Sequence, residues 1–426
     1  MFQKLVYGFL FLQFICFTAG CTYAQGPVTD TLKLDIKQVE DQFLKNNLQL
    51  IIERYNIDNA GAQVITARLF PNPDFSFGNG IHTNDASQGP AYKDQSFSLS
   101  QLFTTAGKRN KNIRLTKLSV DQAKFQFFDL LRTLKFTLRN DFYSIYFQEQ
   151  SAKVYNQEIN SLAKTLAVFK QQYAKGNVAE KEVIRIQSQL YTLQAEYNNL
   201  QVGIDTVQSE FKTLIKASPN IYILPQFNYA LDGRDIVSGI PYQRLLDSAY
   251  VNRYDLKLAK TTVDYNTVNL QLQKATAIPD VSLSVNYDKY GNYGTNFIGG
   301  GIAFGLPFFN RNQGGIKQAQ IAIDQSKVQL QNQQNQIEND LATNYKGALR
   351  LEKLYNSFDP HFKDDFNHLI QEVFKNYEKR NISLLEFLDF YDSYKTNTLQ
   401  LNTLELNRIT SLEQLNFVTG TPFFNK

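Results

Sequence analysis

The chain has little of what most redox, metal and nucleophilic chemistry requires. Among 426 residues there are two cysteines, three histidines and one methionine. Both cysteines, Cys16 and Cys21, stand at the N-terminus, so the remainder can close no internal disulfide and must be held by packing and by contacts between copies. The methionine is the initiator, which excludes a methionine relay for copper or silver. His82, His361 and His368 make up the histidine set, and the last two, seven apart beside Pro360, read as solvated surface residues rather than a metal pair. No metal site and no cofactor is expected. No internal stretch reaches the ~18–20 apolar residues that a membrane helix needs.

Catalytic motifs are missing as well. Gly107-Lys108-Arg109 has the look of a phosphate-loop fragment, but the upstream glycine spacing is absent and Asn110 stands where Ser or Thr is required. Gly299-Gly300-Gly301 lies inside an alternating segment and makes a poor dinucleotide fingerprint. An enzyme is not expected. A formal net charge of +4, with no basic run interleaved with aromatics, gives no reason to expect a nucleic-acid partner.

What is present begins with an export signal. Lys4 precedes an almost wholly apolar run from Leu5 to Phe17, the length of a secretory h-region. Two processing sites compete. Thr22-Tyr23-Ala24 before Gln25 resembles a signal-peptidase site, giving a signal peptide over residues 1–24. Thr18-Ala19-Gly20-Cys21 resembles a lipobox, which would make Cys21 an acylated N-terminus.

The chain then follows one plan twice. Leu48 and Leu256, Pro73 and Pro279, Gly107 and Gly314, and Tyr173 and Tyr377 are pairs separated by nearly the same interval. The first repeat covers residues 30–216 and the second 241–420. Between them, 217–240 holds Pro219, Pro225, Gly233 and Gly239 with no helical pattern and reads as a linker. Each repeat runs helix, strand pair, long helix, turn, helix. From Val183 to Leu214 the apolar residues are spaced alternately three and four apart, a sustained coiled-coil seam. Lys108 to Lys175 contains neither proline nor glycine, and as one helix it would span about 100 Å, a rod that no globular core of this size needs. The matching helix of the second repeat should break near 356–363, where Pro360 removes a backbone donor.

The strands alternate with period two. Phe97, Leu99 and Phe103 alternate with serines; Val281, Leu283, Val285 and Tyr287 alternate with Ser282, Ser284 and Asn286; Ile298, Ile302, Phe304 and Leu306 share one phase; Phe75 and Phe77 begin the fourth strand. An apolar face backed by Ser, Asn and Gly suits either a membrane barrel strand or a sandwich packing inward. The loops 82–94 and 288–295 are polar, as external loops should be. Four strands cannot close a barrel, and an open edge in lipid leaves backbone groups unsatisfied at several kcal/mol each, so the membrane reading requires association.

In this order of elements the sequence resembles the TolC family of outer-membrane efflux proteins. The likeness rests on Phe70-Pro71-Asn72-Pro73 entering the first strand, Ala106-Gly107-Lys108-Arg109 leaving the second, and Leu306-Pro307-Phe308-Phe309-Asn310-Arg311-Asn312-Gln313-Gly314 leaving the fourth. Gly107, Lys108, Arg109, Pro307, Asn310 and Gly314 are thus the strand-to-helix motif, with Gly107 and Gly314 expected to permit the sharp turn. The resemblance implies a mostly α fold with short β. It implies a homotrimer whose twelve strands form an outer-membrane barrel continued by a periplasmic α-helical coiled-coil barrel, coupled through a periplasmic adaptor to an inner-membrane pump. The Gly-Lys-Arg and Asn-Arg-Asn exits are similar to the cation-efflux branch, which serves resistance-nodulation-division (RND) pumps exporting heavy metals. Glu386 and Asp389, three apart on one helix face, match the family's acidic ring at the periplasmic entrance; two carboxylates on a solvated helix are the plain alternative. Gly176, Asn177, Arg380 and Asn381 mark the two helix turns that would meet the adaptor, with Arg380 where the family usually has glycine. A duct of the same fold for type I protein secretion, or a soluble periplasmic coiled-coil adaptor, are the competing readings.

Overall fold

A computed structural model describes residues 30–80, 95–227, 235–291, 294–359, 361–379 and 381–424. The signal peptide with Cys21, the loop 82–94 with His82, Pro360 and Arg380 lie outside the described residues. In chain order the first half comprises strand β1 (Asp30–Leu34), helices α1 (Ile36–Asn46) and α2 (Leu48–Arg68), strands β2 (Asp74–Asn79) and β3 (Gln95–Phe103), and helices α3 (Lys108–Ala174) and α4 (Glu180–Ile215). Strand β4 (Ile221–Pro225) follows, then helices α5 (Tyr242–Asn252) and α6 (Tyr254–Thr276), strands β5 (Val281–Gly291) and β6 (Gly294–Phe304), and helices α7 (Gln313–Asn356), α8 (Phe362–Glu378) and α9 (Leu384–Thr419).

The single N-terminal helix read from the sequence is two successive helices. Asn47 interrupts it with extended backbone angles; its side-chain oxygen accepts from Leu50 N at 3.0 Å, and its amide donates to Leu214 O at 2.9 Å. Arg253 makes the same interruption between α5 and α6. The buried residues of the two halves then pair as Val39 with Leu245, Phe43 with Ala249, and Leu50 with Leu256. The sequence landmark pairing Leu48 with Leu256 is therefore two residues out of register: Leu48 is 53% exposed and Leu50 takes the core position.

The long α3 is continuous over 67 residues, about 100 Å at the usual rise. Beside it, the α4 seam residues Val183, Ile186, Leu190, Leu193, Ile204, Phe211 and Leu214 are buried, as a three-four spacing places them on one face. In the second half α7 stops at Asn356 and α8 begins at Phe362, flanking the proline. Two of the hydrophobic clusters along the rods matter most for their placement. One, where α1, α3, α4, β4 and α9 meet, holds Phe43, Phe142, Phe211 and Ile409; the other, near the α3–α4 turn, holds Leu162, Ile186, Val373 and Phe387.

Strand β4 lies within the 217–240 linker and pairs in parallel with β1, from Asp30 opposite Ile221 to Leu34 opposite Pro225. Gln208, buried on α4, both donates to Ile223 O at 2.6 Å and accepts from Ile223 N at 3.3 Å. Further on, the buried Glu352 carboxylate accepts from Val237 N at 2.6 Å and Ser238 N at 3.1 Å. The linker is thus tied to the helices rather than free.

The other four strands form one antiparallel sheet in the order β2-β3-β5-β6. Its register stacks Phe75 on Leu99, Leu99 on Val285, Phe97 on Tyr287, Leu283 on Ile302, and Val281 on Phe304, so the apolar residues share one face. The other face carries Ser76, Ser98, Asn286, Ser100, Ser284 and Gly301. Among the described residues nothing covers the apolar face: Ile298 and Ile302 are each 70% exposed. Among the described residues no second sheet packs against this face to make a sandwich. The helices adjoining the sheet pack in the same sequence, α2 on α3, α3 on α6 and α6 on α7. Strands β2 and β6, with α2 and α7, are the two lateral edges.

Candidate functional site

The far end of the rods is built from two helix turns. Gly176 follows α3 with φ +77°, the left-handed conformation that glycine adopts without a Cβ penalty. Its N–H donates to Tyr173 O at 2.8 Å, and Asn177 N donates to Gln172 O at 2.9 Å, while the Asn177 side-chain amide donates to Gln172 Oε1 at 2.8 Å. After α8 the pattern recurs: Asn381 N donates to Asn376 O at 2.9 Å and the Asn381 amide to Asn376 Oδ1 at 3.1 Å. Both asparagines are exposed. Beneath them Tyr377 stacks on Phe387 at 4.2 Å between ring centroids and lies 6.3 Å from Phe169, which sets the two turns side by side.

Glu386 and Asp389 are both exposed on the first turns of α9. Glu386 has a local task. Its Oε2 accepts from Ser383 N at 2.8 Å while Ser383 Oγ accepts from Glu386 N at 3.2 Å, a reciprocal capping box. The Ser383 backbone N–H, and then its hydroxyl, hold the Glu386 carboxyl below the usual carboxylate range. Asp392 continues the line and ends it, because its Oδ1 lies 3.2 Å from the Lys395 ammonium. Lys395 is buried and also reaches Glu196 on α4 at 3.1 Å. Sequence reasoning did not find Lys395 or Glu196; only the approach of α9 to α4 brings them together.

The opposite end carries the strand-to-helix residues. Ala106 and Gly107 are both left-handed, at φ +52° and +67°, and turn the chain from β3 into α3. Lys108 Nζ donates to Ile278 O at 2.6 Å and to Asp280 Oδ1 at 2.8 Å, and Asp280 also accepts from Thr105 N at 2.8 Å. Arg109 donates through Nε and Nη2 to Arg68 O at 3.0 and 2.6 Å and lies over the Phe70 ring at 4.1 Å. These two cations bind their own protein's carbonyls, carboxylate and ring, so the motif welds the first repeat to the second.

At the second exit the left-handed residue is Asn312, at φ +56°, and not Gly314, which sits in the first turn of α7. Asparagine tolerates that conformation because its short side chain finds local partners; here its amide donates to Gln273 O at 2.8 Å, and Asn310 Oδ1 accepts from Asn312 N at 2.9 Å. Pro307 O accepts from Arg311 Nε at 3.2 Å. The Asn-Arg-Asn run was the available signal, and its turn chemistry outweighs Gly314 behind it.

Among the described residues no group of three or more His, Cys, Asp or Glu is disposed to hold a metal ion, and no helix is long and apolar enough to cross a membrane. His361 stands at the N-terminus of α8, where its N–H donates to Asp359 Oδ1 at 2.9 Å.

No family model matches the chain. The backbone, however, superposes closely on solved channels. The Campylobacter jejuni outer membrane channel CmeC matches with a TM-score of 0.73 at 15% identity, over 91% of this chain and 86% of that one. The fold is that of a TolC-like outer-membrane channel. CusC matches with a TM-score of 0.68 at 16% identity, covering 94% and 96%, and the open state of the Neisseria gonorrhoeae MtrE outer membrane channel matches at 0.71 and 14%, covering 91% and 89%. By sequence, the cobalt-zinc-cadmium resistance protein CzcC of Cupriavidus metallidurans is 19% identical over 284 residues, 66% of this chain and 65% of CzcC. The chain thus spans just under two thirds of that relative's length.

Proposed function

We propose that the chain is one subunit of a homotrimeric outer-membrane efflux channel, a passive duct whose barrel lies in the outer membrane and whose helices extend through the periplasm. The observation that carries this is the sheet β2-β3-β5-β6. Among the described residues its apolar face is uncovered, its polar face is lined by Ser, Asn and Gly, and its two edges lack strand partners. Lipid covers an apolar face of this kind, and closure through further copies satisfies the edges. Because β2 with α2 forms one edge and β6 with α7 the other, association is head-to-tail and closes into a ring; three copies supply twelve strands.

The duct receives its cargo from an inner-membrane RND-type pump through a periplasmic adaptor. Gly176, Asn177, Arg380 and Asn381 form the adaptor contact, and Glu386 and Asp389 ring the entrance. Likeness to CusC and to a cobalt-zinc-cadmium resistance protein favours heavy-metal cations as cargo, with selection residing in the pump. Two measurements test this reading. Membrane fractionation should recover a heat-modifiable trimer in the outer membrane, and the purified protein should conduct ions in planar bilayers. Recovery as a soluble periplasmic protein without conductance would overturn it.

A further inference from the structure

Within the helical bundle, one buried carboxyl group has an oxygen with no hydrogen-bond partner. Glu158 on α3 is 2% exposed, and its Oε1 has no hydrogen-bond partner. The ionisable groups around it come from three helices. On α9, Lys395 is 7% exposed and is already shared by Glu196 of α4 and Asp392. Lys395 attracts the Glu158 carboxylate, while Asp392 and Glu196 repel it. The phenols of Tyr391 and Tyr394 on α9 and Tyr155 on α3 complete the set. Helix α8 presents the neutral Asn367, whose Oδ1 accepts from the Tyr394 hydroxyl at 2.9 Å. Three carboxyl groups thus face one ammonium, and the two more exposed ones hold it.

An ionised Glu158 would be a charge only partly offset by Lys395, which two other carboxylates already hold, and it would lie one turn from Leu162, which is wholly buried in the apolar seam. We propose that Glu158 is a proton-binding site that latches this end of the bundle: protonated, it lets α3, α4 and α9 stay packed, and loss of the proton loosens α9. Because α9 carries Glu386 and Asp389, loosening it widens the periplasmic entrance, a consequence that rests on the duct reading above. The proton site does not depend on that reading.

The direction of the effect follows from linkage. Burial, the largest influence, pushes the Glu158 carboxyl up to about 8 in the packed bundle, against an ordinary value of 4.5 once water reaches it. Between those values the packed form holds a proton that the loosened form lacks. Rising pH therefore favours loosening by about tenfold per unit, and the gain ends above the upper value.

Hydrogen exchange on the full chain in detergent, corrected for intrinsic rates, tests the site. From pH 5.5 to 7.5 the opening constant of the segment 384–400 should rise by up to about 100-fold in the wild type. Glu158→Gln should abolish the rise, and Glu158→Leu, which cannot bind a proton or donate a hydrogen bond, should do the same. A wild type without the rise, or either variant retaining it, overturns the proposal. Planar-bilayer recordings of the same proteins separate the two readings. Open probability that follows pH in the wild type and not in Glu158→Gln supports both, whereas a pH-linked exchange difference without conductance at any pH overturns the duct and leaves the proton site standing.

Discussion

Asp280 offers the most direct test of how the two repeats are joined. Its carboxylate receives Thr105 N and Lys108 Nζ, each at 2.8 Å, across the junction where β3 turns into α3 and α6 gives way to β5. Asp280→Ala removes two charge-assisted hydrogen bonds and leaves the Thr105 N–H without its acceptor; Lys108 keeps Ile278 O. Such bonds contribute roughly 1.5–3 kcal/mol each. The Asp280 side chain is 27% exposed and that of Lys108 14%, so water screens part of this. The expected loss is about 2–4 kcal/mol for Asp280→Ala and about 1 kcal/mol for Asp280→Asn, which keeps an acceptor but no charge. A double-mutant cycle with Lys108→Met should return a coupling of about 1–2 kcal/mol. The assay is the urea midpoint of the helical circular-dichroism signal in detergent, read beside the temperature at which the oligomer dissociates on a semi-native gel. Acid supplies an internal control. Burial works against the Asp280 carboxylate, but hydrogen bonds from Lys108 and Thr105 prevail and hold it below its ordinary range. Its stabilisation is therefore complete above the unfolded value of 3.8 and fades as pH falls through the lower folded value, where wild type and Asp280→Ala should converge. A coupling near zero, or an Asp280→Ala variant as stable as wild type at pH 7, would refute the weld.

Three further outcomes are expected. Glu386→Gln with Asp389→Asn should raise single-channel conductance or weaken divalent-cation block; glutamine preserves the capping box, so unchanged conductance and block would remove these carboxylates from the entrance. Arg139 joins Glu40 of α1 at 2.6 Å to Glu413 of α9 at 2.8 Å, and Glu413 is 4% exposed, so Arg139→Met should cost about 3–5 kcal/mol in urea unfolding, with most of it recovered in Arg139→Met/Glu413→Gln. Gly176 and Gly420 are both left-handed, but a Cβ at Gly176 meets open space whereas one at Gly420 meets Arg253 N and Asn252 C at 3.2 Å. Gly176→Ala should therefore cost only about 1–2 kcal/mol by the same assay and Gly420→Ala clearly more; equal losses would show that crowding at Gly420 is immaterial.

Much of the architecture was legible because it is periodic. The three-four spacing on α4, the unbroken run of α3 and the alternation in β3, β5 and β6 each state a local rule that a tertiary structure need only obey. Turn chemistry was less legible. Gly314 drew attention because glycine is the usual left-handed residue, yet Asn312 occupies that position by finding partners for its own amide. The repeat register slipped by two residues at Leu48, since Leu48 and Leu50 both suit an apolar helix face until packing exposes one of them.

The sequence by itself determined which segments are rods and which four strands carry one apolar face, and these follow from side-chain period; it also set the condition that such strands, if they lie in lipid, need further copies to satisfy their edges. Only the tertiary structure decided that β1 and β4 pair in parallel across the linker, that Lys108 reaches Asp280, and that the buried Glu158 lies beside Lys395, Glu196 and Asp392. Each of those depends on residues from distant segments meeting, and a charge acquires its partner, or is denied one, only when the helices that carry it come together.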